Sequence, residues 1–145
     1  MSTRACYTFT EYSEISGRND VHVYKHHDNY PEGGLQFIQQ SIPYAWELPR
    51  FEADDFAAAF VAANKGTSGG GVRLINTKHP WEFSSDSEYW YKVSCKNGIL
   101  MVDVFTVDWW GPEKKETLKI SGTLSDAVKQ YVSGDAVKLF QLGVH

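Results

Sequence analysis

Apolar and polar residues alternate near the start of the chain, which is the pattern of β-strands. In "CYTFTEY", Tyr7 and Phe9 alternate with threonines. Aromatic and β-branched residues at this period favour a strand. "VHVYKHH" repeats the pattern after a segment rich in turn-forming residues. The two runs predict a hairpin over residues 6–27 with a long loop between its strands.

The second of these strands has two chemically different faces. Successive side chains of a strand point to opposite sides of the sheet. His22, Tyr24 and His26 therefore share one face, and two valines and Lys25 share the other. "DNYPEGG" then ends the strand in a turn.

Two helices follow in the middle of the chain. "LQFIQQSI" places Leu35, Ile38 and Ile42 on one stripe, which predicts a short helix from Leu35. "RFEADDFAAAFVAANKG" is the clearest helix, because its phenylalanines and alanines share a face and its first turns are acidic. Gly66 is placed to end that helix. "GTSGGG" predicts a flexible loop.

The second half is dominated by strands. "VRLIN" predicts one strand, and "EYWYKVSC" and "ILMVDVFTV" flank Asn97-Gly98, a strong hairpin signal. The latter run is apolar on both faces except at Asp103, which predicts a central strand. "TKHPWEFSSDS" is predicted to be a loop and "TLKISGTL" an edge strand. "DAVKQYV" predicts a helix capped by Thr123 or Ser125, and "DAVKLFQLG" one or two further helical turns.

The order β-β-α-α-β-β-β-β-α defines the expected fold class. It predicts a single α+β domain over residues 1–145, with a mostly antiparallel sheet of about five to six strands and two to three helices packed on one face. A chain of 145 residues is long enough to bury a core of its own.

Charge and cysteine content narrow the class of protein. The formal net charge is −4, and the 14 basic residues form no stripe, so we predict no nucleic-acid partner. The charges also form no sustained acidic run, which weakens the alternative of a nucleic-acid mimic. Two cysteines suit buried thiols in a reducing compartment. The sequence shows no apolar leader and no run long enough to cross a membrane, so we expect a cytoplasmic protein without membrane contact.

The segment "YKHHDNYPEGG" is the main candidate for chemistry. A histidine paired with Asp28 or Glu32 would be a workable general base if the segment folds back on itself, which makes His26, Asp28, Glu32 and also Glu88 catalytic candidates. The alternative is a structural corner in which Asp28 and Asn29 bond the turn and Glu32 begins a helix.

Metal and cofactor chemistry find little support in the same segment. His22 and His26 have ligand chemistry, but four residues along a strand separate them by about 13 Å, so we predict no metal site. No nucleophile elbow, P-loop or dinucleotide motif is present. We therefore predict no cofactor.

The stretch "YKHHDNYPEG" resembles the Y-x-H-x-D-G-Y-P-E-G motif of a family of small uncharacterised proteins of phages and other mobile elements. The similarity extends over roughly residues 22–93, through "WELPRFEADDFAAAFVAANK" and "GGGV". "SDSEYWY" is similar to the family's H-G-D-x-E-Y-x-Y segment, where Ser84 and Ser85 replace its histidine and glycine. Asn29 replaces the glycine of the first motif. The resemblance implies a mobile-element protein and no particular reaction. The two motifs are expected to meet in space, with Asp86 and Glu88 near His26.

Two functions from different classes remain open. The first is a non-enzymatic accessory protein that binds a macromolecular partner, a protein such as a host defence component, through exposed aromatic side chains. The second is a small-molecule binder or hydrolase that uses His26, Asp28 and Glu32. An apolar sheet with aromatic edges is also compatible with a homodimer. Trp81, Trp90, Trp109 and Trp110 are expected to be exposed, and "VDWWGPE" is the favoured contact segment. The alternative is that one tryptophan of the Trp109–Trp110 pair belongs to the core. The predicted binding residues are Tyr24, Tyr30, Trp90, Trp109 and Trp110.

Overall fold

A six-stranded sheet organises the part of the chain that the computed structural model describes, which is residues 3–68 and 71–132. Its spatial order is β3-β2-β1-β4-β5-β6. The strands are β1 (Ala5–Ser13), β2 (Gly17–Lys25), β3 (Val72–Leu74), β4 (Tyr89–Lys96), β5 (Ile99–Asp108) and β6 (Lys115–Thr123). The helices are α1 (Pro31–Ser41), α2 (Ala53–Ser68), the single turn α3 (Pro80–Phe83) and α4 (Leu124–Tyr131), with a 3-10 turn at Ile42–Tyr44. The predicted α+β class and the predicted order of strands and long helices are confirmed.

The sheet is mixed because β1 and β4 run in the same direction. Every other neighbouring pair is antiparallel. The parallel pair needs a long crossover, and β2, both long helices and β3 lie within it. The hairpin with β2 puts Thr8 beside His22 on one side, and the parallel pairing with β4 puts it beside Lys92 on the other.

The long helices cover one face of the sheet, here called the helix face. Tyr7 stacks on Tyr91 with ring centroids 4.7 Å apart and contacts Phe60 of α2 at 4.5 Å. All three side chains are buried. Leu35 and Ile38 of α1 and the apolar residues of α4 join the same core.

The opposite face, here called the open face, is covered only in part. Cys6, Tyr24 and Trp109 are buried there beneath Trp81 and Phe83, which the segment around α3 supplies. The expectation that Trp109 is exposed is therefore corrected: it is 0% exposed, whereas Trp110 is 74% exposed. Trp109 keeps the alternation of β5 one residue beyond the strand's end, and its indole N–H donates to Glu116 at 2.9 Å.

Both faces of β2 and β4 match the sequence pattern. Val23 and Lys25 lie on the helix side, while His22 and Tyr24 line the open face.

Asn97 and Gly98 have φ values of 53° and 77° and make the tight turn between β4 and β5, as predicted. Thr123 is the residue that caps α4, since its hydroxyl accepts from the amide of Asp126 at 3.1 Å.

Several predicted boundaries are wrong. The loop between β1 and β2 is only residues 14–16, because the Ser13 hydroxyl accepts two amide N–H groups and Gly17 has a φ of 75°. α1 begins at Pro31 rather than Leu35, since proline suits the first helical position. α2 continues past Gly66 to Ser68, where Lys65 donates to the Val72 carbonyl at 2.7 Å.

Other differences concern placement. β5 lies beside the edge strand β6 instead of at the centre, and its open-face side chains are only half-buried. The segment 77–87, predicted to be a loop, contains α3, whose first turn is fixed by a hydrogen bond from the His79 amide to the Glu82 carboxylate. The helical turns predicted for residues 135–143 lie outside the described residues.

Two neighbouring glycines bring α1 close to the sheet. A Cβ placed on Gly34 would lie 2.3 Å from the Tyr91 ring, and one on Gly33 would lie 2.2 Å from the Asp28 carbonyl oxygen. The pair is therefore needed for a close approach of the helix to the core.

Replacing Gly34 with alanine should destabilise the protein. The gain in helix propensity is about 1 kcal/mol, but the methyl group would displace the buried Tyr91 ring, and overpacking costs about 1–3 kcal/mol or more. Gly66→Ala in α2 is the matched control, because a Cβ there meets nothing within 4 Å. Urea unfolding should show a lower midpoint for Gly34→Ala and an unchanged or higher one for Gly66→Ala; equal midpoints would contradict the close-approach argument.

Candidate functional site

The bend after β2 is built around one buried side chain, Asn29. Its amide nitrogen donates to the carbonyls of Thr3 at 2.7 Å and Lys25 at 2.8 Å, and its side-chain oxygen accepts from the Tyr7 hydroxyl at 2.5 Å. The Asn29 carbonyl accepts from the Tyr91 hydroxyl at 2.6 Å. Asn29 is 0% exposed, so these bonds replace water completely.

A buried lysine supports the same bend. Lys25 is 2% exposed, donates to the His27 carbonyl at 2.8 Å and lies 3.9 Å from the centre of the Phe37 ring. Burial lowers the pKa of Lys25, and the nearby Asp28 carboxylate opposes that shift. Asp28 itself has a φ of 64°. The cluster predicted as a chemical site thus contributes Lys25, Asp28 and Asn29 to the structure of the corner.

His26 lies apart from that corner, on the edge of the open face. Its Nδ1 accepts from the Arg4 guanidinium at 3.3 Å and is 2.6 Å from the Tyr24 hydroxyl. Arg4 also forms an ion pair with Asp86 at 3.1 Å. Asp86 therefore reaches His26 through an arginine and not by a direct hydrogen bond.

The charges around His26 favour the neutral imidazole. Partial burial, then Arg4 and His27, lower the pKa of His26, while Asp86 raises it less. A general base of the histidine–carboxylate type needs the carboxylate at the ring nitrogen, where it stabilises the imidazolium. In this protein a cation occupies that position.

The remaining catalytic candidates do not line the depression around His26. The shallow depression around His26 has a volume of 580 Å³, and Asp28, Glu32 and Glu88 do not line it. Glu32 lies in the first turn of α1 and is exposed. Glu88 is exposed beside the start of β4, where its amide donates to the Arg4 carbonyl at 2.8 Å. Asp86 of the segment "SDSEYWY" therefore lines the same depression as His26, and Glu88 of that segment does not.

The aromatic candidates also divide by exposure. Tyr24 is 8% exposed and packs on Phe83, so it belongs to the interior together with Trp109. Tyr30 is 53% exposed beside Tyr89. Trp90 is half-buried on the open face, and its indole N–H donates to the Thr8 hydroxyl at 2.7 Å. Trp81, expected to be exposed, is half-buried against Trp109.

A larger depression lies on the open face, next to Trp90. We call it the basic groove; its volume is 890 Å³. The sheet forms its floor and the segment that runs from β3 into α3 forms its wall. It is lined by Arg18, Asp20, Val21, His22, Ile75, Asn76, Thr77, Lys78, His79, Pro80, Trp81, Trp90 and Lys92.

Sequence reasoning did not identify this groove. Its residues come from β2, β4 and the segment between β3 and α3, which are distant in the chain. The signal that was available is the shared face of Trp90 and Lys92 on β4 and of His22 on β2. What was missing is the parallel pairing of β1 with β4, which brings these faces together.

His22 is part of the groove floor. Its Nδ1 is 2.7 Å from the Thr8 hydroxyl, which in turn accepts from Trp90. Burial is the main cause that lowers the pKa of His22, with added effects of Arg18, His79 and Lys92, while Asp20 opposes them. The floor is thus a hydrogen-bonded row of Trp90, Thr8 and His22.

Two further observations concern metals and membranes. Within residues 3–68 and 71–132, no group of three or more His, Cys, Asp or Glu side chains is arranged to hold a metal ion. None of the helices in the described part of the chain combines the length and the apolar composition needed to cross a bilayer.

Comparison with known proteins adds no further constraint. No family model, curated protein or solved structure matches the chain. The geometry of the open face is therefore the basis for a functional hypothesis.

Asn29→Ala should destabilise the protein by about 3 kcal/mol, because it removes the buried hydrogen bonds of Asn29 to the Tyr7 hydroxyl and to two carbonyls. Asn76→Ala, at an exposed position of the groove wall, is the control and should change stability by less than about 0.5 kcal/mol. A double-mutant cycle with Tyr7→Phe should give a coupling of about 1 kcal/mol in chemical denaturation. Additive effects would show that the Tyr7–Asn29 bond does not stabilise the bend.

Stability should fall as the pH drops below neutrality, partly because of His22. Its pKa is lower in the folded protein than its ordinary value of 6.5, so the unfolded chain takes up the proton first. The contribution of His22 to the free energy of unfolding is therefore present above pH 6.5 and is lost as the pH falls through the folded-state pKa of His22. Urea midpoints measured from neutral to mildly acidic pH should fall less steeply for His22→Gln than for the unaltered protein. Parallel profiles would contradict this assignment.

Proposed function

We propose that this chain is a non-enzymatic protein that acts by binding a protein partner through its open face. The observation that carries the proposal is the basic groove, an open depression in which tryptophans and cations surround a rigid hydrogen-bonded floor. Tryptophan and arginine are the side chains most often found at the centres of protein interfaces. A rigid floor limits the entropy lost on binding.

The distribution of charge supports a binding role for this face. The groove and the smaller depression around His26 are lined by five of the 14 lysines and arginines but by only two of the 18 acidic residues. Both acidic residues, Asp20 and Asp86, pair with an arginine. These two depressions are therefore positive although the chain as a whole is negative, and such asymmetry steers association with a negative surface.

The resemblance in residues 22–93 extends this proposal to a biological setting. We propose that the protein serves a phage or another mobile element and that its partner is a component of the host cell, such as a defence protein. The exposed Trp110, in the turn after β5, offers a second contact outside the groove.

A hydrolase that uses His26, Asp28 and Glu32 is the weaker candidate. Arg4 occupies the position beside His26 that a catalytic carboxylate would need, and Glu32 lies on α1, which packs on the helix face. No buried side-chain nitrogen or oxygen within the described residues lacks a hydrogen-bond partner. These features favour a binding surface over a reaction centre.

A photo-crosslinking amino acid at Asn76 should capture the partner in the native host. Asn76 is exposed on the groove wall, and its replacement removes no hydrogen bond of the described fold. The same amino acid at Gln130, exposed on α4 on the other side of the sheet, is the matched control and should give no specific product. Crosslinking from Gln130 alone would contradict binding through the open face.

The same experiment separates the two candidate functions. A His26→Asn, Asp28→Asn double variant keeps hydrogen-bonding side chains and an asparagine suited to the left-handed backbone at position 28. The proposal expects the variant to crosslink the partner from Asn76 and to retain biological activity. Retained crosslinking with lost activity would instead support catalysis by these residues.

A further inference from the structure

The cations of the basic groove are available to a ligand. The four ion pairs formed within residues 3–68 and 71–132 do not include Lys78 or Lys92. Lys78 is exposed on the groove wall, and the Lys92 ammonium lies 4.9 Å from the centre of the Trp90 ring. The one carboxylate in the groove, Asp20, accepts from the Nε of Arg18 at 2.9 Å, which leaves the terminal nitrogens of that guanidinium to a ligand. The groove therefore keeps a positive excess.

The spacing of the cations favours an extended ligand. Lys92 is opposite Thr8 of β1, and Arg18 is opposite Tyr12 of the same strand. Four residues along β1 and two strand spacings across the sheet put the two backbones about 16 Å apart. One phosphate or carboxylate cannot contact both cations at that separation. Anionic groups about four to five residues apart on an extended peptide, at about 3.3 Å per residue, match it within the reach of the side chains.

The surroundings favour a peptide over a nucleic acid. The adjoining depression, which shares Arg18 and Lys92 with the groove, also contains Glu11 and Asp103, so carboxylates limit the positive region at one end. A nucleic acid carries a charge at every nucleotide and needs a continuous basic track. The net charge of −4 also opposes a polyanion at long range. A short acidic segment satisfies both constraints.

We propose that the basic groove binds an extended acidic segment of the partner protein, with carboxylates about four to five residues apart that pair with Arg18 and Lys92. This inference rests on the partner-binding function proposed above and names the chemistry that the groove recognises. Lys78 contacts the segment from the groove wall, and Trp81 and Trp90 pack against its apolar parts.

Synthetic peptides without tryptophan test the inference, since groove tryptophans report binding by a change in intrinsic fluorescence. The probe carries two Asp-Glu pairs four residues apart. The comparison peptides have the same acidic residues in one contiguous block, or amides in their place. We expect saturable binding of the spaced peptide, weaker binding of the block, none of the amide peptide, and loss of affinity as salt is added.

Charge-reversal variants locate the binding. Lys92→Glu and Lys78→Glu should each weaken the spaced peptide about tenfold, and Lys129→Glu on α4 should leave its affinity unchanged. Lys78 and Lys129 are both exposed, so this pair remains informative if Lys92→Glu unfolds the protein. Circular dichroism confirms that each variant is folded.

Three results would overturn the inference. One is the absence of saturable binding by the spaced peptide; another is an equal effect of Lys129→Glu, which would mean unspecific attraction. The third is tighter binding of a single-stranded oligonucleotide than of the peptide, which would assign the groove to nucleic acid. If the peptide fails while the Asn76 crosslink still forms, the partner-binding function stands and only the acidic-segment recognition is lost.

Discussion

The hydrogen bonds of Asn29 are the constraint on which the rest of the structure depends. Between Lys25 and Pro31 the chain must leave the sheet and start a helix that packs on Tyr91. Backbone N–H and C=O groups that have no hydrogen-bond partner in such a turn reduce the stability of the protein when they are buried. The Asn29 amide satisfies two carbonyls, and Tyr7 and Tyr91 bond to its side chain and backbone. The stacked tyrosines thus join β1, β4 and the bend, and they fix where α1 lies.

The structural role of the bend explains why its polar side chains do not form one catalytic site. Asn29 and Lys25 point into the helix side, where they are buried, while His26 lies on the open face beside Arg4. A strand places consecutive side chains on opposite faces, and a helix that starts five residues later carries its own side chains away from both. The sequence cluster is compact along the chain but is divided by the sheet in space.

The sequence predicts local features well because they depend on neighbouring residues. The faces of β2 and β4, the Asn97-Gly98 turn and the Thr123 cap all follow from short-range patterns, and the structure confirms them. The arginine at His26 could not be predicted, because Arg4 reaches it across the sheet. The basic groove depends on the pairing of β1 with β4 over some eighty residues. The burial of Trp109 did have a local signal, since it continues the alternation of Phe105 and Val107 on β5.

The two faces of the sheet differ in how well they tolerate amino-acid substitutions. On the helix face the stacked rings, Gly34 and Asn29 depend on one another, so a substitution there affects folding first. On the open face the Trp90–Thr8–His22 row holds the floor, while Lys78 and Asn76 project from a wall that is not part of the sheet. Side chains on such a wall can vary at little cost to stability. A net negative charge, read from composition alone, conceals this arrangement, because five basic but only two acidic side chains line the groove and the depression around His26. Recognition by charge on a rigid aromatic floor is therefore compatible with an acidic protein, and its specificity can change without a change of fold.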